Sequence, residues 1–490
     1  MDYNDKKVLI MGLGLHGGGL EAARFLLKRG ASVTVTDLRD EKTLMPSIEQ
    51  LDEFCRSLGQ KPVHYVLGKH EIDDFKNADM VLKNPGVRPD SPYLQAAKHI
   101  ETDISLFLAE AWRRKSFVRL FAVTGTKGKS CASSALHWIL DKAREPNSGK
   151  AFLGGNITVS PLSFLDELSE NDDVVLELSS FQLGDLRGRK TPDGEALLKP
   201  DASILTCIMH DHLDRYASME TYVDDKRIIY RGQDKNGITV ARDDSWGKSF
   251  HAESKGRPLV FSPVCLPEGQ SGGWIDNNGK GLARLLDWQG ISGEATALVP
   301  EKLLTPGEHQ KTNLLAAALA AYGHGIKAEK IFEALGSFRG IEHRIEFFHE
   351  TKEMRFYNDS AATIPEAAAA CVDALAAQGQ LVLVTGGTDK NLDFVPLVNS
   401  ALKAKAIILL AGTGSEKLSR LLNEAGISYS GPFDDLDKAV NTALEKAAEL
   451  VKSGSVSVAL SPGCASFGMF LNEFDRGRKW KEAVQRKTSS

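Results

Sequence analysis

The sequence predicts an α/β protein with three domains. Short apolar segments of strand character alternate with segments whose apolar residues recur at helical spacing, a pattern typical of parallel sheets covered by helices. The chain has 490 residues, which exceeds what one hydrophobic core usually serves and suggests about three domains. Two glycine-rich turns, at residues 12–19 and 125–128, each follow a strand-like segment and precede a helical one.

The domain boundaries are predicted from breaks in this alternation. We expect an N-terminal domain over residues 1–115, a central domain over 116–339 and a C-terminal α/β domain over 340–490. Within the central domain, residues 237–306 form short strand-like segments separated by glycines and prolines. We interpret this stretch as a small β-rich insertion or flap. The last residues, 486–490, are predicted to be a frayed tail.

Composition excludes several classes of protein. The hydrophobic content of 42% and the charged content of 26% are ordinary for a globular protein. A net charge of -5 with scattered basic residues gives no indication of nucleic-acid binding. No apolar stretch is long enough to span a bilayer and no signal peptide is recognisable, so we expect a soluble cytoplasmic protein without a membrane partner. The six cysteines form no Cys-x-x-Cys pair, which argues against a disulfide framework or a zinc ribbon.

The N-terminal glycine turn matches a dinucleotide-binding pattern. Gly12, Gly14 and Gly17 follow a predicted strand, and Asp37 ends the next strand twenty positions after Gly17. This spacing predicts a Rossmann-like domain with a nucleotide or pyrophosphate at the turn. Taken alone it would indicate an NAD-dependent enzyme, and a turn of this kind without a ligand is the alternative.

The second glycine turn has the composition of a phosphate-binding loop. Gly125 and Gly128 allow backbone N–H groups to close around an anion at the start of a helix. Lys129 and Ser130 follow, where an ammonium group suits phosphate and a hydroxyl suits Mg²⁺. Val123 stands where a strict P-loop has glycine. The loop therefore predicts a P-loop-like ATPase domain that is not an ordinary one, and a ligand-free glycine turn is the alternative.

Two further polar side chains follow apolar strands of the central domain. Glu177 and His212 each end such a strand, and the carboxyl ends of parallel strands meet at one edge of a sheet. We therefore expect both to converge with Lys129 and Ser130 in one pocket. A carboxylate and an imidazole beside a nucleotide loop suit a divalent metal. The alternatives are a solvated strand end for Glu177 and a structural role for one of His210 and His212.

Other polar residues have plain structural alternatives. Lys226 lies on a predicted helix over residues 219–231, where it could belong to a charged, solvated face. The polar residues that open the helix after Gly307 could be caps. In the C-terminal domain, polar turns follow the predicted strands at residues 359–360, 386–390 and 461–466.

Taken together and in order, these motifs resemble the Mur ligases, the ATP-dependent amide-forming enzymes of peptidoglycan precursor synthesis. The motifs that carry the resemblance are residues 124–130, 154–156, 177–182, 211–216, Lys226, Gly307, His309, Asn313, 343–344 and 359–360. It is strongest to the members that join D-glutamate to UDP-N-acetylmuramoyl-L-alanine, because of the N-terminal Gly-Leu-Gly-Leu turn and residues 460–466. It covers essentially the whole chain, and it implies a cytoplasmic enzyme of cell wall biogenesis, needed for cell shape and division.

The resemblance implies ATP and two Mg²⁺ sites as cofactors. The residues it assigns to ATP are Gly125, Thr126, Lys127, Gly128, Lys129, Ser130, Asn313, Arg344 and Asp359. The metal ligands it implies are Ser130, Glu177, His212 and Lys226. Its catalytic residues are Lys129, Lys226, His212 and Arg344. Lys226 matches a position at which the family has a carbamylated lysine, a modification that turns the ammonium into a carboxylate-like metal ligand.

The resemblance also implies two substrate sites. The UDP-substrate residues it assigns, in place of an NAD site, are Leu15, His16, Asp37, Arg39, Asn84, Gly86 and Asn156. The amino-acid residues are Thr363, Lys390, Ser466 and Phe467. The implied reaction forms an acyl phosphate from the substrate carboxylate and ATP, and the amine of D-glutamate then displaces phosphate. A monomer is expected.

The chain departs from the family pattern at a few positions. Ala361 stands where the D-glutamate enzymes usually have lysine, Gln310 replaces an asparagine, and residues 473–474 alter an aromatic position. These departures concern the acceptor amino acid more than the reaction type. The alternatives are a Mur-type ligase with another acceptor, a folylpolyglutamate synthetase-like ligase, an NAD-dependent oxidoreductase and a catalytically silent nucleotide-binding protein.

Overall fold

The structure is a computed structural model that describes residues 2–15, 17–115, 119–145, 148–157, 159–212, 214–286, 293–305 and 307–489. It divides into two compact units. The first comprises Met1–Pro300 and Thr312–Leu335, and the second comprises Glu301–Lys311 and Gly336–Ser490. Three sheets, dominated by parallel strands and interleaved with helices, confirm the predicted α/β fold class. The boundaries placed at residues 115 and 339 stay predictions.

The first sheet belongs to the first unit and has five parallel strands in the order β3-β2-β1-β4-β5. The strands are β1 (Lys7–Met11), β2 (Ser32–Asp37), β3 (His64–Leu67), β4 (Met80–Lys83) and β5 (Ile100–Glu101). The helices are α1 (Gly18–Leu27), α2 (Glu41–Ser57), α3 (Ile72–Asn77), α4 (Pro92–Gln95) and α5 (Asp103–Arg114). The strand order reverses between β1 and β4, so the loops after these two strands open a crevice at the carboxyl edge of the sheet.

The second sheet, also in the first unit, has nine strands in the order β14-β13-β12-β11-β10-β9-β6-β8-β7. The strands are β6 (Arg119–Thr124), β7 (Ala151–Gly155), β8 (Asp173–Glu177), β9 (Ala202–Leu205), β10 (Ile238–Arg242), β11 (Arg257–Ser262), β12 (Gly272–Ile275), β13 (Gly281–Arg284) and β14 (Thr296–Val299). The pairs β12–β13 and β13–β14 are antiparallel. The other neighbouring pairs of this sheet are parallel. The helices of this part of the chain are α6 (Lys129–Lys142), α7 (Ser180–Asp185), α8 (Met219–Arg231), α9 (Ser245–Glu253), α10 (Glu308–Gly323) and α11 (Ala328–Gly336).

The described residues between 237 and 306 are β-rich, as predicted, but they belong to the central sheet and not to a flap. Strand β10 pairs parallel with β9, and Ile238 lies opposite Ala202, so the segment extends the central sheet. Helix α9, which the sequence pattern did not indicate, provides the crossover between β10 and β11. Local alternation predicts a strand but carries no information about its partner, because parallel partners are distant in sequence.

The third sheet belongs to the second unit and has the order β15-β16-β20-β17-β18-β19. The strands are β15 (Glu346–Glu350), β16 (Met354–Asn358), β17 (Gln380–Thr385), β18 (Ala406–Leu410), β19 (Ser430–Phe433) and β20 (Val456–Leu460). The helices are α12 (Pro365–Ala376), α13 (Val395–Ala401), α14 (Thr413–Glu424), α15 (Leu436–Val451) and α16 (Glu473–Thr488). Strand β15 pairs antiparallel with β16, and the other pairs are parallel.

The expected tail at residues 486–490 is wrong for residues 486–488, which belong to α16. Trp480 of this helix is fully buried, and its indole N–H donates to the carbonyl oxygen of Tyr357 at 3.1 Å. Most residues of α16 are polar, so composition alone predicts a frayed tail. The few buried residues, Trp480 among them, pack against the unit and stabilise the helix.

Within the first unit, polar contacts join the five-stranded and nine-stranded sheets. Lys83, at the end of β4, forms a buried ion pair of 2.7 Å with Asp185 of α7. Arg189 pairs with Glu101 of β5 at 2.8 Å. A buried pair loses its solvation on both sides, so such contacts fix the relative placement of the joined elements more than they add stability. In the described ranges, no helix combines the length and the apolar character needed to cross a bilayer.

Asp173, the first residue of β8, offers a test of how the amino ends of the central strands are held together. Its buried carboxylate accepts two hydrogen bonds of 2.7 Å from Arg119 of β6 and also pairs with Arg144. We expect Asp173→Asn to lower the free energy of unfolding of the first unit by about 3 kcal/mol, because both guanidinium groups lose their anion. Urea unfolding followed by circular dichroism measures this change.

The matched control is Asp234→Asn, which removes an exposed pair with Lys199 at 3.2 Å. It should change the unfolding free energy by less than about 0.5 kcal/mol. Equal effects of the two substitutions would contradict the structural role of Asp173.

Candidate functional site

A cavity of 460 Å³ opens in the first unit where loops from both of its sheets meet. Its walls come from the loops after β4, β7 and β8, from the starts of α1, α5 and α6, and from α8. Six residues singled out in the sequence line it. These are Asn84, Gly86, Lys129, Asn156, His212 and Lys226. The structure thus brings together residues that lie up to 142 positions apart in the chain, from Asn84 to Lys226.

The glycine-rich loop leads into Lys129, which lines the cavity. Gly125 and Gly128 have φ angles of +147° and +84°, values that favour glycine. A side chain at Gly128 would lie 2.4 Å from Asn313 Oδ1, so Asn313 packs directly against the loop. Lys129 Nζ donates to the carbonyl oxygens of Gly125 at 3.1 Å and Thr126 at 3.0 Å. The side chain of Lys129 is therefore held over the loop, as a phosphate-binding lysine requires.

Three further loop residues take different positions. Thr126 is buried, and its hydroxyl group contacts the Tyr222 hydroxyl at 3.0 Å. The Lys127 side chain is largely exposed, with its ammonium 4.0 Å from Asp211. Ser130 lies in the first turn of α6.

Lys226 is almost fully buried and reaches the same loop from α8. Its Nζ donates to the Gly125 carbonyl oxygen at 2.9 Å and lies 4.7 Å from the centre of the Tyr222 ring. Burial, and then the nearby charge of Lys129, lower the pKa of Lys226 to about 7. Burial also lowers the pKa of Lys129, against the opposing effect of Glu177. The alternative of a solvated charged face for Lys226 is wrong.

Glu177 is buried at the end of β8 beside the phosphate loop. Its Oε1 accepts a hydrogen bond of 2.9 Å from the Asn156 side chain, and its Oε2 accepts one of 3.3 Å from Ser133. The Asn156 backbone N–H donates to the Glu177 carbonyl oxygen at 2.8 Å. The alternative of a solvated strand end is therefore wrong, since the carboxylate is enclosed and hydrogen-bonded.

His212 lies in the loop after β9 with a left-handed backbone, φ +53°, and a side chain that is 46% exposed. Its ring centre is 4.9 Å from that of Phe181. With Glu177 and Ser130 it offers an imidazole, a carboxylate and a hydroxyl group, a donor set that fits a hard divalent cation such as Mg²⁺. Lys226 fits this set only after its ammonium has been converted to a carbamate.

Among the described residues, the structure holds one group of three acidic or imidazole side chains close enough to share a metal, Glu342, His343 and Glu346. The ammonium group of Lys481 lies 2.8 Å from Glu342 and 2.9 Å from Glu346. One ammonium group thus already pairs with both carboxylates, which disfavours binding of a second cation.

The N-terminal turn is fixed by Asp37. Its carboxylate accepts backbone hydrogen bonds from Gly14 at 3.3 Å and Arg39 at 2.9 Å. Leu15 is 43% exposed, and His16 lies outside the described residues. Asn84 accepts a hydrogen bond of 3.0 Å from the Gly86 N–H. Of the UDP-substrate residues described by the structure, Asn84, Gly86 and Asn156 line the cavity, whereas Leu15, Asp37 and Arg39 do not.

The second unit gathers its predicted residues at the carboxyl edge of its own sheet, after the adjacent strands β16, β20 and β17. Asp359 is buried and accepts hydrogen bonds from Ser461 Oγ at 2.6 Å and from the Ile345 N–H at 3.1 Å. Burial raises the pKa of Asp359 to about 7. Ser466 is buried, Thr363 is half-buried, and the exposed side chains in this group are those of Arg344, Lys390 and Phe467.

Among the residues that line the cavity, Asp103 and Tyr222 carry no functional signal in the sequence, and Phe181 belongs to the motif at 177–182 without an assigned role. Phe181 packs between the Arg215 guanidinium, 3.8 Å from its ring centre, and the Tyr216 ring. Aromatic residues in helices usually belong to a core, so periodicity carries no signal for such a position. Asp103 stands at the start of a helix, where an acidic residue is ordinary.

Gly125 provides a test of the phosphate loop. A β-carbon there would lie 1.9 Å from Thr206 Oγ1, and φ +147° disfavours any side chain. We expect Gly125→Ala to weaken ATP binding by about tenfold or more, because relieving the clash displaces the loop. Isothermal titration of ATP measures the change. The control is Gly188→Ala, where φ is +70° and no atom lies within 4 Å of the added carbon. An unchanged ATP affinity for Gly125→Ala would contradict the loop's role.

Comparison with known proteins agrees with this geometry. Family models for the Mur ligase middle domain, the MurD-like N-terminal domain of Mur ligases and the glutamate ligase domain of Mur ligases match residues 123–321, 6–105 and 343–457. Nearly full-length relatives include the UDP-N-acetylmuramoylalanine–D-glutamate ligase of Treponema pallidum, 38% identical over 98% of this chain and 97% of the relative. The enzyme of the same name from Borreliella burgdorferi is 39% identical over 97% of each chain.

Among solved structures, the UDP-N-acetylmuramate-alanine ligase of Thermotoga maritima aligns with a TM-score of 0.55 at 19% identity, covering 99% of this chain and 100% of that one. A ligase structure named MurF from Acinetobacter baumannii aligns with a TM-score of 0.55 at 14% identity, covering 98% and 93%. These two likenesses concern the fold. With three matching domain models and relatives above 30% identity over almost the whole chain, the protein belongs to the Mur ligase family.

Proposed function

We propose that this protein joins D-glutamate to UDP-N-acetylmuramoyl-L-alanine in the cytoplasm, using ATP and releasing ADP and phosphate, as a step of peptidoglycan precursor synthesis. The observation that carries the proposal is the placement of Lys129, which is half-buried, and Lys226, which is buried, at a glycine-rich loop in a cavity that also receives Asn84 and Asn156. The full-length relatives named above, which carry D-glutamate ligase names, support the choice of substrate.

The reaction has two steps. A carboxylate oxygen of the UDP-substrate attacks the γ-phosphorus of ATP, the bond to the β–γ bridging oxygen breaks, and ADP leaves with that electron pair. The amine of D-glutamate then attacks the acyl carbon, phosphate departs with the acyl–oxygen bonding electrons, and the amine loses a proton. Both steps develop negative charge on phosphate oxygens, which fixed positive groups stabilise.

Each residue of the cavity has a proposed task. Lys129, held above the loop, offsets charge on the transferred phosphoryl group. Asn156, which Glu177 fixes through two hydrogen bonds, orients the acyl end of the substrate. Ser130, Glu177 and His212 would hold Mg²⁺, which would supply further charge compensation for phosphate oxygens.

The roles proposed for the second unit rest on the family resemblance. Arg344 and Asp359 are proposed ATP contacts, and Thr363, Lys390 and Ser466, together with Phe467, are proposed contacts of the amino-acid acceptor. Ala361 favours one alternative, a Mur-type ligase with another acceptor, because the lysine usual at that position is absent. Lys390 remains as a cation that can pair with an acceptor carboxylate.

Phosphate release tests the proposed reaction. Purified protein is supplied with ATP, Mg²⁺, UDP-N-acetylmuramoyl-L-alanine and a panel of amino acids, and each component is omitted in turn. We expect sustained phosphate release only with the complete mixture and with D-glutamate as the efficient acceptor, because the acyl phosphate needs an amine to turn over. Release that persists without acceptor, or without UDP-substrate, would contradict a ligase. Preference for another amino acid would support the alternative at Ala361.

Lys226 provides a second test, of carbamylation. Carbon dioxide reacts with a neutral amine, and burial favours the neutral form of this one. We expect ¹³C-bicarbonate to give a carbamate signal in carbon NMR of the wild-type protein and none in Lys226→Arg. Activity should fall by about a hundredfold or more in Lys226→Arg, because a fixed cation replaces a metal ligand.

The control for this test is Lys235→Arg, a substitution outside the cavity. It should leave both the carbamate signal and the activity unchanged. A fully active Lys226→Arg protein without a carbamate signal would show that the modification is not needed.

A further inference from the structure

Asp103 is a buried acid in the wall of the cavity with acceptor capacity to spare. It opens α5, and its residue surface is 8% exposed. Its Oδ2 accepts a hydrogen bond of 3.1 Å from Ser160 Oγ, and its Oδ1 accepts one of 2.9 Å from the Ile104 N–H. No cation pairs with it within the described part of the chain. A carboxylate can accept about four hydrogen bonds, so roughly half of this capacity is unused.

The helix does not account for this acid. Thr102 already caps α5 through a reciprocal capping box with Ser105. An acid in the first turn gains from the helix dipole chiefly when it remains hydrated. Here burial raises the pKa of Asp103 to about 6, and the nearby charge of Asp185 acts in the same direction. The fold therefore keeps an acid at the surface of a cavity, where burial and a neighbouring negative charge disfavour its ionised form.

The charges around the cavity indicate which part of a substrate meets Asp103. Lys129 attracts phosphates and carboxylates, whereas a carboxylate repels them. The UDP-substrate has anionic groups at its diphosphate and at its alanine end. Between them lies the sugar, which carries hydroxyl and amide N–H donors and no charge. A hydrogen bond from such a donor to a carboxylate is stronger than one to a neutral acceptor.

We propose that the Asp103 carboxylate binds the sugar portion of the UDP-substrate by accepting a hydrogen bond from a hydroxyl or amide N–H group, with Ser160 orienting the carboxylate. This inference rests on the proposed function, since it takes the UDP-linked muramoyl substrate as the ligand. It adds a binding residue on α5 and a positioning residue after β7 to those that line the cavity.

Asp103→Asn tests the proposal, because the amide is isosteric and keeps one acceptor oxygen while it presents a donor to the substrate. Titration calorimetry on the full chain, without ATP, gives dissociation constants for UDP-N-acetylmuramoyl-L-alanine and for UDP. We expect the variant to bind the complete substrate about tenfold more weakly or worse and UDP with unchanged affinity, because only the complete substrate carries the sugar.

Two further variants make the outcome decisive. Ser160→Ala should weaken binding of the complete substrate in the same direction but less, and it decides the matter if Asp103→Asn does not fold. Glu110→Gln, on the same helix, replaces a buried acid that pairs with Tyr3 and Arg113 away from the cavity, and it should leave both affinities unchanged.

Several results would overturn the inference. Unchanged affinity of Asp103→Asn for the complete substrate excludes the contact, and an equal loss for UDP and for the complete substrate excludes a contact to the sugar. A wild-type protein that binds neither ligand overturns the proposed function itself, a result that the wild-type titration separates from the other two.

Discussion

The first unit is arranged around one carbonyl oxygen, that of Gly125, which accepts hydrogen bonds from both Lys129 and Lys226. Burial and the charge of Lys129 lower the pKa of Lys226 to about 7, which limits the repulsion between the two side chains. Both side chains are held in place by the loop conformation, the end of β6 and the packing of α8. Lys129 thus provides a positive group that is fixed before any ligand arrives, which is what stabilisation of a phosphoryl transfer requires.

The loops around this positive site are tied to one another as well as to their strands. Arg215 lies three residues after His212 and donates to the carbonyl oxygens of Gly86 at 2.9 Å and Val87 at 3.2 Å. The same guanidinium stacks on Phe181. The loop that carries the imidazole thus also holds the loop after β4, so a displacement of one moves the other. A substrate that contacts the loop after β4 can therefore influence the geometry around His212.

Much of this arrangement could be predicted from the sequence, and for an identifiable reason. Glu177 and the phosphate loop each follow an apolar strand, and parallel strands bring their carboxyl ends together. The resemblance assigns Lys226 to the site, whereas its helix pattern equally suits a solvated face. Only the packing of α8 shows that Lys226 is buried. Asp103 gives no functional signal, because its role depends on contacts between segments distant in the chain. The sequence indicates β10, β11, β12 and β14 as strands but not as part of the central sheet, for the same reason, and it does not indicate β13.

In the second unit, the charge of the side chain at position 361 and the support of the loop that carries it have different origins. Arg476 is buried and donates to the Ser360 carbonyl oxygen at 2.8 Å, to Ser360 Oγ at 3.0 Å and to the Cys464 carbonyl oxygen at 3.1 Å. Burial lowers the pKa of Arg476 to about 10, so it stays charged at neutral pH. This guanidinium, and not the side chain at 361, holds the loop after β16 against the loop after β20.

Replacing the usual lysine by Ala361 therefore removes a charge without removing the support of the loop. The backbone N–H of Ala361 still donates to the His343 carbonyl oxygen at 3.0 Å. An acceptor carboxylate that would pair with the lysine has Lys390, exposed in the loop after β17, as the remaining cation at this edge among the residues proposed for the acceptor. Any change in acceptor preference at this site should consequently follow from charge complementarity, with the shape of the loop preserved.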